Sequence, residues 1–512
     1  MDFEQLKDDV EQGRISLTRL VELLQSQQRL NDELKKQLEA AKEKLQAALA
    51  RIDELEKDAA PNDATQKTDQ SFSLDAEEKR QRDAKKPKAK RKKRRGARRV
   101  STAEKLKSCQ RTEQVYPDGC SPEECWLSHT RPIWQLEDGR AVRVAYEVYR
   151  ASGDRYGKIP GAFGRSEFSL EIVLALSYQV YVLGLSIDKA CMLLNFFQHL
   201  SLSKSQADAL LNQLARRWEK EFDHLCTLLA NSLVVHADET SWSINSVWAF
   251  LSEKARVIFF GVHKDGATLQ KILDSEVFAG LLISDNAAVY ANFTCAQKCW
   301  AHLIRKAIKL TLLAPDIADY RRLADGLLAI YRKACKAQRD GRLGDAGRKR
   351  KVKELEDEVL ELCGPVWFKD YPKQEGHLDD YRRLCNEVMD LLLRQELFQF
   401  VTTPAVVQPN GEAKPVSGTN NESERTLRSS AMARETGRTN KTIKGARRQS
   451  IITSVLESLR NYLPTWTLAS LIREVTSWEE RGGSCFSRAV RRIGKSKQKT
   501  GVLDAVLPQP SG

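Results

Sequence analysis

The chain has 512 residues, a hydrophobic content of 41% and a formal net charge of +14. That length allows roughly three or four domains with substantial cores. The beginning is charged rather than apolar, and the longest uncharged apolar segment, 172–187, is shorter than the ~20 residues that cross a bilayer. The 11 cysteines are scattered and odd in number, which is typical of reduced thiols. These features argue against a secreted or membrane protein, so we expect a cytoplasmic protein with no membrane partner.

Residues 1–58 have the sequence pattern of a coiled coil. Apolar residues recur at alternating steps of three and four positions from Leu17 to Leu55, which defines a heptad seam. Asn31 falls at an a position, where a buried amide favours a parallel pair in fixed register. The pattern predicts a helix through which the protein dimerises. A long solvated helix that folds back on its own chain is the alternative.

Residues 59–108 are predicted to form a disordered linker that contains a basic arm at 79–99. The arm holds 14 Lys and Arg and a single acid, so it accounts for +13 of the total charge of +14. Such a run stays extended and solvated, and its expected partner is nucleic-acid phosphate. A solubilising tail and a nuclear-import signal are the other interpretations. The expected DNA contacts of the arm include Lys85, Lys86, Arg91, Lys92, Lys93, Arg94 and Arg95.

Two further regions precede the predicted core. Residues 109–165 are expected to form a small module that contains several cysteines. Residues 166–228 follow a helical pattern, with three helices opened by serines at Ser169, Ser186 and Ser203. Three short helices fit a helix-turn-helix fold that reads DNA ends, and they fit plain packing beside the core equally well.

Residues 229–313 predict the first part of an α/β core with the element order β-β-β-α-β-α-β-α. The first strand is a short apolar run that ends at Asp238, and the fourth strand, 280–284, is followed by Asp285. If these two strands are neighbours, both carboxylates lie at one rim of the sheet. They would repel each other there unless a divalent cation lay between them.

The remaining sequence divides into three regions. Residues 314–401 are charged and helical and predict an insertion into the core. Residues 402–477 begin with a loop rich in proline and glycine and then return to the core. Residues 478–512 form a basic tail that we expect to be mobile.

A helix within the second core part carries the candidate for a third acid. Asn420 or Asn421 is expected to cap its beginning. Glu422 and Glu424 are two positions apart and therefore point to different sides of the helix, so only one of them can face the two aspartates. Basic residues that we expect to contact DNA follow at Arg425 and Arg428.

Five short pieces of the chain, taken in order, resemble a known protein family. They are His236–Thr240, the strand around Trp248, Asp285 with Tyr290, Cys299–His302 with Arg305, and Asn420–Arg425. Together they resemble DDE transposases, specifically the insertion-sequence sixty-six (IS-sixty-six) family, over roughly 166–475. The resemblance implies an α/β ribonuclease-H-like catalytic core with a helical insertion, preceded by helical and coiled-coil regions. It also implies that the third acid is Glu424.

The function implied by this resemblance is a DNA transposase that cuts transposon ends and transfers the cut strand into target DNA. Asp238, Asp285 and Glu424 would hold two Mg²⁺ (or Mn²⁺) ions that activate the attacking oxygen and stabilise the leaving oxygen. His302 and Arg305 are interpreted either as contacts to the cut phosphate or as a packed His and a surface Arg. A metal-dependent nuclease without strand transfer and a catalytically idle DNA-binding protein are the alternatives.

The expected partners follow from the same interpretation. They are double-stranded DNA at the transposon ends and at the target, a second copy of the chain through the coiled coil, and helper proteins of the same element. We therefore expect association with the nucleoid in the cytoplasm.

Zinc is a further cofactor that the resemblance raises, because transposases of this kind often carry a small Cys-rich module. The candidate ligands are Cys109, Cys120, Cys125 and His129. Their spacing departs from paired C-x-x-C and is poor for a closed tetrahedral site. We therefore favour a degenerate module without metal.

Overall fold

The computed structural model describes residues 100–367, 376–494 and 499–507, together with scattered helical positions between 21 and 46. The basic arm with its seven candidate DNA contacts lies outside the described residues, as does most of the predicted coiled coil, so both stay predictions. In the described part of the chain, no helix combines the length and apolar character that crossing a bilayer requires.

The first described region is a small β-sheet preceded by a helix. Helix α1 is capped by Ser101, whose side chain accepts the N–H of Glu104, so the predicted disordered linker ends before residue 108. Strands β2 and β3 form a hairpin whose turn, Asp138 and Gly139, has positive φ at both residues. The sheet order is β1-β3-β2, with β4 paired to the end of β3. The bounds are α1 Thr102–Lys107, β1 Arg111–Val115, β2 Trp126–Glu137, β3 Arg140–Ala151 and β4 Arg155–Tyr156.

Four helices follow, where the sequence pattern predicted three. The side chains of Ser186 and Ser203 cap two of them by accepting backbone N–H groups, as expected. The additional helix begins after Trp218, whose backbone (φ −95°, ψ 6°) breaks a continuous helical pattern. The bounds are α2 Leu170–Tyr181, α3 Ile187–Gln198, α4 Lys204–Arg217 and α5 Glu219–Ala230.

The central element is a five-stranded mixed sheet with the order β7-β6-β5-β8-β9. Strands β5, β6 and β7 are antiparallel neighbours, whereas β8 and β9 run parallel to β5. Helix α6 connects β7 to β8, which then pairs with β5. The first and fourth strands are neighbours, as the sequence analysis assumed. The bounds are β5 Val234–Ser241, β6 Ser246–Ser252, β7 Arg256–Val262, α6 Gly266–Ile272, β8 Leu281–Ser284 and β9 Ala296–Lys298.

A helical region follows β9, and its hydrophobic core includes Val234 of β5 and Leu281 and Ile283 of β8. Leu327, Val359 and Val388 are among the fully buried side chains of this core. A two-stranded hairpin then occupies part of the segment predicted as loop. The bounds are α7 Trp300–Leu313, α8 Ala318–Arg339, α9 Asp345–Trp367, α10 His377–Leu393, α11 Gln399–Thr402, β10 Val406–Val407 and β11 Ala413–Lys414.

Five helices complete the described chain. The last of them buries Val502, Leu503 and Val506 in the main hydrophobic core. The expectation of a mobile basic tail over 478–512 is therefore wrong for its described residues, because apolar side chains anchor it. The bounds are α12 Asn421–Glu435, α13 Ile443–Tyr462, α14 Leu468–Glu480, α15 Cys485–Arg492 and α16 Val502–Val506.

At the outer edge of the central sheet, side chains of helix α13 accept the backbone hydrogen bonds that a further strand would otherwise accept. Three serines at intervals of four residues lie on one face of the helix. Their hydroxyls accept backbone N–H groups of β7 at 2.8–2.9 Å. The pairs are Ser450 with Phe260, Ser454 with Ile258, and Ser458 with Arg256. An unprotected edge strand invites pairing with other chains, and this hydroxyl ladder closes it.

Candidate active site

The register of the central sheet sets Asp238 and Asp285 side by side. His236 of β5 lies opposite Ile283 of β8 in a parallel pair. Continued by two residues, this register brings Asp238 opposite Asp285, which follows the last residue of β8. The Asp285 carboxylate accepts the N–H of Ala287 at 3.1 Å, which holds it at the strand end.

Glu424 lies in the first turn of α12, and this helix is fastened to the same rim. The side-chain amide of Asn420 donates to the carbonyl of Ala237 at 2.7 Å, and its backbone N–H donates to Cys299 Sγ at 3.1 Å. Asn420 is thus the N-cap residue, but its side chain bonds to the sheet instead of capping the helix, unlike the prediction. The position of Glu424 follows from this attachment to β5.

Burial and neighbouring negative charge raise the pKa of Asp238 to about 7. Burial is the largest cause, and the carboxylates of Glu239, Asp285 and Glu424 each contribute further. The N–H of Glu239 donates to Asp238 Oδ1 at 3.0 Å and partly offsets the rise. The structure therefore brings the three predicted acids within electrostatic reach of one another.

The Glu424 carboxylate forms an ion pair with Arg305 and lies close to His302. Arg305 Nη2 lies 2.6 Å from Glu424 Oε1, and His302 Nε2 lies 3.6 Å from the same oxygen. Cys299, His302 and Glu424 each offer a ligand atom, and these atoms lie within 4.8 Å of one another. His302 and Arg305 thus contact the third acid.

Glu239 is a buried acid at this site that sequence reasoning missed. Its side chain is 2% exposed; Lys264 Nζ lies 2.8 Å from Oε1, and the Tyr290 hydroxyl donates to Oε2. Burial and this carboxylate raise the pKa of Tyr290 well above its usual value. The sequence did contain a signal for this pair. Glu239 directly follows Asp238, and Tyr290 belongs to one of the five pieces that resemble the family.

A cavity of about 220 Å³ adjoins Asp285 on the side of α7. Lys298, His302 and Lys306 line it, and Lys306 Nζ lies 2.6 Å from the Glu387 carboxylate. Burial lowers the pKa of Lys298. This side of the acid cluster therefore carries lysines and carboxylates together.

The basic residues of α12 and α13 differ in their surroundings. The predicted DNA contacts Arg425 and Arg428 are exposed and available to a partner. Two arginines further along the chain form ion pairs within the protein. These are Arg447 with Glu219 and Asp504, and Arg448 with Asp208.

The four candidate zinc ligands are not brought together as a site. Cys109 Sγ faces the carbonyl of Lys105 at 3.5 Å, and His129 Nδ1 lies 3.1 Å from the Ser128 hydroxyl. Burial raises the pKa of Cys125, and the neighbouring Cys120 raises it further. Among the described residues, the one group of three or more metal-ligating side chains lies instead around Glu424.

Clustered acids at one rim of an α/β sheet, beside basic side chains, are typical of enzymes that act on phosphodiesters. A family model described as "Transposase IS66 family" matches residues 165–448, which is more than half of the chain. The chain therefore belongs to the IS66 family of transposases, and it is an enzyme that acts on DNA. A comparison with curated proteins finds no match.

Proposed function

We propose that this transposase is of the DDE type, and that it cuts the ends of its mobile element and joins them to target DNA. The observation that carries the proposal is the grouping of Asp238, Asp285 and Glu424 around the end of β5. We also propose that the central sheet and its helices are a ribonuclease-H-like core. The strand order β7-β6-β5-β8-β9 supports this, and the helical insertion lies between β9 and α12.

The three carboxylates fit a site for Mg²⁺ or Mn²⁺. Carboxylate oxygens are the ligands that these hard cations prefer. Burial and the carboxylates of Glu239, Asp285 and Glu424 raise the pKa of Asp238, and a cation bound among these acids would offset their mutual repulsion. When bound, such ions activate the attacking oxygen and offset the charge that develops on the phosphate.

The protein's own side chains must rearrange for this role. Asp238 has to lose its proton before it can ligate a cation. Glu424 has to exchange its pairing with Arg305 and His302 for the cation. The two released side chains then lie beside the acids, where they are suited to bind the oxygens of the phosphate that is cut.

Glu239 is proposed as a positioning residue, because it is paired with Lys264 and Tyr290 and does not need to reach the DNA. These bonds tie β5 to the segments after β7 and β8. They fix the backbone on which Asp238 is carried.

The experiment that tests the function uses purified chain and a duplex with the terminal sequence of its element, with Mg²⁺ or Mn²⁺. Cleavage and joining support the proposal. Cleavage without joining indicates a nuclease, and binding alone indicates an idle DNA-binding protein. Asp238→Asn should abolish cleavage and leave DNA binding intact. Retained cleavage in this variant would refute the assignment of the acids.

A further inference from the structure

A cavity of about 300 Å³ adjoins the part of β5 that precedes Asp238. Its walls come from β5, β6 and β7, from the β10–β11 hairpin and from the start of α12. The proposed chemistry gives it no role. Three cations and two carboxylates line it, and the described lining residues include no Phe, Tyr or Trp. These charged residues are Arg256, Lys414, Arg425, Glu253 and Glu422.

The wall of this cavity contains buried polar side chains, and some of their atoms form no hydrogen bond with the described residues. Glu253 is 4% exposed; its Oε1 accepts the N–H of Leu233 at 3.0 Å, and its Oε2 has no partner among the described residues. Arg256 Nε and His236 Nδ1 are likewise buried without a partner there. A buried polar group without a partner is destabilising, so a polar occupant would stabilise this wall.

The cavity continues the line of the proposed catalytic acids. His236 lines it and lies two positions before Asp238 on β5. Strand residues two positions apart point to the same face and are about 6.6 Å apart. That distance equals about two nucleotide steps of 3.4 Å along a DNA strand. A base within one or two nucleotides of a phosphate at the acids would therefore reach the cavity.

We propose that this cavity binds one unstacked base of the DNA strand beside the phosphate that is cut. The inference rests on the proposed function, because that function places the phosphate at the acids. A volume of about 300 Å³ is at the small end of ligand sites, which suits one nucleobase better than a length of strand. Exposed Lys414 and Arg425 attract the backbone, and the polar wall pairs with the base edge. These bonds offset the free energy that unstacking the base requires.

The test uses the full chain and duplexes with the terminal sequence of its element. Each duplex carries 2-aminopurine at one of the three positions on either side of the cut, and fluorescence is measured without divalent metal. We expect a several-fold rise at one position, because an unstacked 2-aminopurine is bright and no described aromatic side chain lines the cavity to quench it. No rise at any position, with cleavage intact when metal is added, overturns the cavity proposal and leaves the proposed function standing.

A matched pair of variants locates the base. Gln408→Trp fills the cavity, whereas Val407→Trp adds the same ring at a neighbouring residue that is 61% exposed and does not line it. Gln408→Trp should lose the fluorescence rise and cut at least tenfold more slowly, and Val407→Trp should behave as the unchanged chain.

An abasic site at the responding position removes the base that Gln408→Trp obstructs, so it should restore cleavage by this variant and show that the variant is folded. A rise that survives in Gln408→Trp, or cleavage that the abasic site does not restore, overturns the proposal. An unchanged chain that shows no metal-dependent cleavage overturns the proposed function as well.

Discussion

Replacement of Asp238 by Asn is expected to stabilise the metal-free protein at neutral pH, although it should abolish catalysis. The pKa of Asp238 rises from 3.8 to about 7 in the folded chain, chiefly through burial and then through neighbouring carboxylates. At 1.36 kcal/mol per pKa unit, the ionised side chain costs at most about 4 kcal/mol of folding free energy. The neutral amide does not carry this cost.

The sign of the pH dependence follows from the direction of the shift. A raised folded-state pKa means that the favourable contribution of Asp238 is complete below pH ~4 and is lost as pH rises through about 7. The advantage of the Asn variant should therefore be near zero at pH 4 and reach its full size above about pH 7.5.

Urea unfolding with EDTA, followed by tryptophan fluorescence between pH 4 and 8, measures this difference. Asp265→Ala is a control for which we expect the opposite change in stability. The Asp265 side chain caps α6 by accepting the Thr268 N–H, and this hydrogen bond lowers the pKa of Asp265. That variant should lose about 1 kcal/mol at neutral pH. An Asp238→Asn variant that is less stable than the unchanged chain at pH 7.5 would refute the buried cluster of like charges.

Three other variants test separate parts of the structure. Arg305→Ala removes a half-exposed ion-pair partner of Glu424, so Mn²⁺ should bind the DNA-free protein up to about fivefold more tightly, as measured by calorimetry. Weaker binding would contradict the idea that Arg305 competes with the metal ion for Glu424. Ser454→Ala leaves the Ile258 N–H buried without its partner and should cost about 1–3 kcal/mol in urea unfolding, whereas Ser429→Ala on the exposed face of α12 should cost little. Gly280→Ala places a Cβ 2.5 Å from the Ser232 carbonyl at the start of β8 and should cost about 1–3 kcal/mol by the same assay, unlike Gly266→Ala in open space.

The parts of the site that local patterns determine were predictable from sequence. Asp238 and Asp285 each end or follow a short apolar run, and a period of two residues fixes the face of a strand. Their adjacency needed one assumption, the pairing of the first and fourth strands, which the sheet order confirms. Glu424 had no such local signal, since 138 residues separate it from Asp285, and only resemblance distinguished it from Glu422.

The features that depend on tertiary packing were not predictable. Nothing in the sequence says that the Asn420 side chain bonds to β5 instead of capping α12. The serine hydroxyls that close the edge at β7 come from a helix about 200 residues later, and serines in a helix are usually surface residues. The tail was predicted to be mobile from its charge, but buried Val502 and Leu503 outweigh that charge.

The most direct test of the three-acid site is cleavage of the protein's own backbone by bound Fe²⁺ in the presence of ascorbate and peroxide. Radicals formed at the bound ion cut the nearest peptide bonds, so fragment ends report which segments surround it. We expect cuts near Asp238, Asp285 and Glu424 together, suppressed by excess Mg²⁺ and lost in Asp238→Asn. Cuts near the two aspartates without any near residue 424 would contradict the account.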